Sequence, residues 1–191
     1  MHVREQKTNP VMHLALVSAL VLLAFLACEG LHILEPAHDD LHLRPEVHMV
    51  FLPHGMFVLL AWVYGWAMVP LVLPSLLVAA AFIVGPEFMT PTVALLAVAR
   101  LVLVMATMEG LRALGRDARG DHGRRGLLAL VTAGVISSLG FNALRVVYGA
   151  CCEVMSTSDR VLAYVTAVGA DVVGMMVVMF TAMLLFRLMR H

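Results

Sequence analysis

The sequence predicts an all-α, polytopic integral membrane bundle, and two observations predict it. Of 191 residues 61% are hydrophobic and 14% charged, with a mean hydropathy of +0.92. A soluble domain carries about 25% charged residues, so most of this surface must face something other than water. The apolar residues also come in long runs, whereas outer-membrane barrels alternate over short segments.

Six transmembrane helices are expected, at about residues 11–30, 49–68, 69–85, 92–114, 127–148 and 161–186, in a single membrane domain covering 1–191. The first run, Val11 to Ala27, follows Arg4 and Lys7. A lipoprotein-like cleavage before Cys28 is the alternative to an uncleaved helix, which the apolar remainder of the chain favours. The second and third segments are nearly continuous. Pro53, Pro70 and Pro74 mark them as kinked or irregular, because proline removes a backbone donor that neighbouring protein must compensate inside a bilayer. A five-span alternative makes 49–85 one broken crossing with a re-entrant piece. The fourth segment leads into a basic loop at 115–126, and a long loop at 29–48 follows the first.

Orientation follows from charge. Arg4 and Lys7, the arginines between Arg112 and Arg125, and Arg187 and Arg190 near the C-terminus fall on one side if six helices cross. That side is expected to be the cytoplasm of a bacterial inner membrane, with both termini inside. The 29–48 loop, with Glu29, Glu35, Asp39, Asp40 and Glu46 against Arg44, is then extracytoplasmic.

Charged groups within apolar segments are costly and need a partner or a wet cavity. Arg100 and Asp171 lie at predicted depths only about 3 Å apart at the helical rise of 1.5 Å per residue, which makes an interhelical ion pair plausible. His54, Asn142 and Arg145 lie towards the same outer half, and 142 and 145 share a helix face. His54, Arg100, Asn142, Arg145 and Asp171 could line one outward-facing pocket. Two arginines against one aspartate would suit a small anionic or zwitterionic ligand. The competing reading is helix packing, with Arg145 reaching the head groups and Asn142 bonding a neighbouring backbone. Glu109 is expected to pair with Arg112 at i,i+3.

His38 and His42, four apart in the acidic loop, are the candidate metal ligands, with Asp39 or Asp40 completing a divalent site; a solvated, pH-responsive loop is the alternative. No other cofactor is expected. Cys28 could reach Cys151 or Cys152 in an oxidising compartment, or all three could be unpaired. Gly134 and Ser138, and Ala170 and Gly174, form small-xxx-small pairs suited to close helix packing. The glycine-rich stretch 115–123 reads as a flexible connector. No hydrolase, phosphate-loop, dinucleotide or H-E-x-x-H motif occurs, and no basic, aromatic-interleaved surface suggests nucleic acid.

The run Phe51-Leu52-Pro53-His54-Gly55, followed by Leu59-Leu60, Gly65 and Leu73-Pro74, resembles the membrane-associated sensor domain MASE1. The Leu95-to-Gly115 segment, with Arg100, Glu109 and Leu114, looks like its next helix. The resemblance covers about 50–115. His54 stands where that family often has a second proline or a polar residue. Such domains usually have about eight helices and precede a signalling output, which is not expected in this shorter chain. It implies a stand-alone, non-enzymatic sensor-like or accessory subunit with a membrane protein partner beside the lipid bilayer. A small-molecule transporter, or its substrate-binding component, is the second expectation. A metal-assisted enzyme using His38, His42 and His54 is the third.

Overall fold

The computed structural model describes residues 9–34, 50–120, 123–150 and 157–189. Six α-helices and two single 3₁₀ turns account for nearly all of them: α1 (Pro10–Leu34), α2 (Leu52–Tyr64), α3 (Met68–Val84), α4 (Pro91–Ala113), α5 (Arg124–Ala150) and α6 (Thr157–Leu188). No strand occurs among the described residues. Among the described residues five stretches are long and apolar enough to cross a membrane, and one of them, Leu52–Ile83, takes in α2 and all but the last residue of α3.

Helix ends follow local chemistry. Pro91 starts α4, and the Thr90 hydroxyl accepts from the Val93 N–H at 3.4 Å, a proline and cap pairing that supplies what the first turn lacks. Gly115 ends α4 at φ +75°. Its N–H reaches the Arg112 carbonyl, and the Arg116 N–H reaches Leu111, both at 2.9 Å, which is the Schellman closure. Gly65, at φ +59°, ends α2, and a 3₁₀ turn over Gly65–Ala67 leads into α3. Pro74 lies inside α3.

Some boundaries differ from the sequence reading. The loop expected at 29–48 begins later, because α1 continues to Leu34, and the basic loop expected at 115–126 ends where α5 starts at Arg124. Hydropathy marks where apolar side chains stop, whereas the backbone ladder continues through polar residues at a helix end.

Two ends of the bundle are defined by contacts. At the end called upper here, the Cys28 thiol donates to the Val50 carbonyl at 3.0 Å and Phe25 meets Phe51 edge-on. At the lower end His13 Nδ1 bonds the Tyr64 hydroxyl at 3.0 Å, and Trp62 Nε1 donates to the Ala118 carbonyl at 2.7 Å. Between them lies an apolar layer that includes Phe57, Val58, Leu101, Val104, Met105 and Met175, all with no exposed surface.

The tightest seam joins α2 to α6. The Phe51 N–H donates to the Ala170 carbonyl at 3.0 Å. A Cβ on Gly174 would lie 2.2 Å from the Phe51 carbonyl oxygen, and one on Gly55 would lie 2.7 Å from the Met175 Cα. Backbone approaches backbone here, which only glycine permits. The short helix α2 thus begins beside the middle of α6.

Candidate functional site

Asp171 is the fifteenth of 32 residues in α6, Arg100 the tenth of 23 in α4, and Ser138 the fifteenth of 27 in α5. All three therefore sit near the midpoints of long helices. The expected pair between the fourth and sixth segments forms: Arg100 Nη2 donates to Asp171 Oδ1 at 2.6 Å. The other carboxylate oxygen accepts from the Ser138 hydroxyl at 2.8 Å and from Asn142 Nδ2 at 2.9 Å. Asn142 also donates to the Ser138 carbonyl one helical turn below. One carboxylate on α6 thereby holds three donors from α4 and α5.

The guanidinium of Arg100 lies against three rings, 4.4 Å from the Phe51 centroid, 4.6 Å from Phe141 and 5.7 Å from Phe57. Its flat, weakly hydrated cation suits aromatic faces in a way an ammonium does not. Its Nε is buried without a hydrogen-bond partner.

His54 is 1% exposed. Nε2 lies 3.0 Å from the Gly134 carbonyl oxygen. A carbonyl can only accept, so Nε2 must carry the proton, and the neutral ring then presents a lone pair at Nδ1. That Nδ1 is buried and has no partner.

The structure thus joins three of the five sequence candidates, Arg100, Asn142 and Asp171, by hydrogen bonds, and holds His54 on the Gly134 carbonyl, one helical turn from Ser138. Arg145 stands apart, exposed on α5, although it is within Coulombic range of Arg100. In the sequence Ser138 stands only as a small packing residue, and nothing there marks the aromatic partners of Arg100. The four-residue spacing of Ser138 and Asn142 places both on one face of α5, and that was the available signal.

No family model, curated protein or solved structure matches the sequence. His38, His42, Cys151 and Cys152 lie outside the described residues. Among the described residues no group of three or more histidines, cysteines or carboxylates is placed to hold a metal ion.

The lower end carries a second polar cluster. Glu109 meets Arg112 at 3.5 Å, as its spacing suggested, and also Arg119 Nη1 at 3.3 Å. Arg119 Nη2 donates to the Ala61 carbonyl at 3.0 Å, and Asp117 Oδ1 accepts from the Arg119 N–H at 2.9 Å. The stretch read as a flexible connector is therefore fastened, over residues 117–119, to the C-terminal turn of α2. Charge pairing across a tertiary contact supplies what the local glycine pattern concealed.

Proposed function

We propose that the chain is a non-enzymatic, sensor-like or accessory membrane subunit whose switching element is the joint at Asp171. The observation that carries this reading is that both oxygens of that carboxylate accept from donors on two other helices. An event that removes one donor changes how α4, α5 and α6 are held together. A small anionic or zwitterionic ligand reaches Arg100 by displacing Asp171, so its arrival and the opening of the joint are one event. A ligand shifts a conformational balance only by binding the two states unequally, and this competition provides that inequality.

Six crossings with both termini on the cytoplasmic side of a bacterial inner membrane belong to the same proposal. The pairing of His13 with Tyr64, and the Arg119 guanidinium 3.6 Å from where a Cβ on Gly65 would stand, put the starts of α1 and α3 and the end of α4 at one end of the bundle. The start of α4 at the opposite end supports a return of α3 across the bundle. The likeness to MASE1 remains part of the proposal and supplies the sensor class.

The test is affinity purification of the full chain in mild detergent, with mass spectrometry of retained proteins and small molecules. A stoichiometric protein partner that Asp171→Asn releases from an otherwise folded chain supports the reading. Transport is the second reading, favoured by the break at Gly65–Ala67 inside the Leu52–Ile83 stretch, since transporters use interrupted helices at their binding sites. Saturable uptake by reconstituted protein, lost in Arg100→Met, would replace the sensor reading with that one.

A further inference from the structure

We propose that the lower end of the bundle is a binding surface for anionic phospholipid headgroups, formed by Arg116, Arg124, Arg125 and Arg187. It names a partner for that surface and does not depend on the role given to the Asp171 joint.

Contacts inside the bundle bring these four residues, from the α4–α5 connector, α5 and α6, to one end. Helix α6 runs parallel to α2: Ala170 and Gly174 adjoin Phe51, while Met175 and Val178 adjoin Gly55. Equal rise along the two helices sets Arg187 level with the turn at Gly65–Ala67. Helix α5 runs the opposite way, since Gly134 adjoins Met175 and, one turn on, Ser138 adjoins Asp171. Arg124 and Arg125 therefore lie about 15 Å below Gly134 at the helical rise, towards the same turn. Arg116 closes the end of α4, and Arg119, three residues on, lies against Gly65.

Charge at this end is unevenly used. From Arg112 to Arg125 the sequence carries five arginines against Asp117 and Asp121. Glu109 and Asp117 hold Arg112 and Arg119, and Arg119 turns inward to the Ala61 carbonyl. Arg116, Arg124, Arg125 and Arg187 are exposed and make no ion pair among the described residues. Local stability does not account for Arg124 and Arg125. They stand in the first turn of α5, which has no acidic residue, and a cation there opposes the helix dipole.

The surroundings of these cations select the partner. Three of the apolar stretches able to cross a membrane have an end here, at Ala113, Arg124 and Leu188. Leu114, Leu128 and Leu188 are exposed within four residues of the arginines. Cations beside exposed apolar side chains at the ends of spanning helices stand at the headgroup boundary. A soluble acidic protein would meet the same charges but supply no hydrocarbon to the leucines. Phosphatidylglycerol offers a guanidinium an uncompensated phosphate, whereas phosphatidylcholine offers the same phosphate with a cation attached. The surface therefore prefers the anionic lipid.

The experiment is electron spin resonance of the full chain in phosphatidylcholine vesicles, with spin-labelled phosphatidylglycerol or spin-labelled phosphatidylcholine, read as the fraction of label immobilised on the protein. Phosphatidylglycerol should be held about threefold more strongly than phosphatidylcholine. Salt at about 1 M, which shortens the screening length to about 3 Å, should remove most of that preference. Arg116→Gln, Arg124→Gln, Arg125→Gln and Arg187→Gln combined should do the same without added salt, whereas Arg145→Gln, on the upper half of α5, should leave the preference unchanged. Equal retention of the two lipids by the unaltered chain overturns the proposal, as does a preference that salt or the combined variant leaves intact, or one that Arg145→Gln lowers as far. The lipid and salt comparisons use the unaltered chain, so they decide the matter if the combined variant does not fold. A protein partner lost from the combined variant in affinity purification, with lipid preference unchanged, assigns the surface to an acidic protein instead.

Discussion

The two members of the buried pair are unequal in what each can do when left alone. Without Arg100, Asp171 keeps Ser138 and Asn142 as donors, and a carboxylate can shed its charge by taking a proton. Without Asp171, Arg100 keeps only ring faces, and a guanidinium holds its charge at any ordinary pH. Removing one partner of a buried pair costs about 3–5 kcal/mol. Asp171→Asn is therefore expected at the upper end of that range and Arg100→Met clearly below it, in detergent thermal unfolding followed by size-exclusion fluorescence. The double variant, which leaves no unpaired charge, should be at least as stable as Asp171→Asn alone. Equal losses in the two single variants would remove the argument. Arg100→Lys keeps the charge but not the planar contact with Phe51 and Phe141, and should also lower stability.

Among the elements, α2 is the one whose position depends on missing side chains. Its N-terminus meets α6 through Gly55 and Gly174, where an added Cβ would collide with backbone atoms rather than with a mobile side-chain tip. Gly174→Ala should therefore push α2 off α6 and cost about 1–3 kcal/mol, the usual range for overpacking. Gly134→Ala is expected to be milder, because its nearest neighbour is the flexible Met175 sulfur. Thermal unfolding of the two variants side by side checks the order. At the lower end, Arg119→Gln removes the bond to the Ala61 carbonyl and the pairing with Glu109. Faster amide hydrogen exchange over residues 117–120, with exchange in the apolar layer unchanged, is the expected result; an unchanged rate would mean that Trp62 alone holds the connector.

For the whole molecule, the decisive question is whether Leu52–Ile83 crosses once or twice. With Cys28, Cys151 and Cys152 replaced by alanine, single cysteines at Asn9 and Gly120 should react with an impermeant maleimide from the same side of a sealed vesicle. A single crossing would put them on opposite sides. Much of this architecture is legible in the sequence, because hydropathy reports which segments avoid water and a helix is the form in which one segment satisfies its own backbone. Arg100 and Asp171 could be matched in depth for the same reason, since helical rise converts position into height. The roles of Ser138, Phe51 and Phe141 could not be read, because depth does not give the rotation of one helix against another. The fastening of 117–119 was hidden likewise, its partners being a carbonyl on α2 and a carboxylate on α4. Composition and apolar run length by themselves determined a helical membrane protein with charged residues that required partners. Only the tertiary structure decided which partners those are, because an interhelical contact depends on the facing and close approach of helices distant in sequence, set here by glycines that let α2 and α6 touch backbone to backbone.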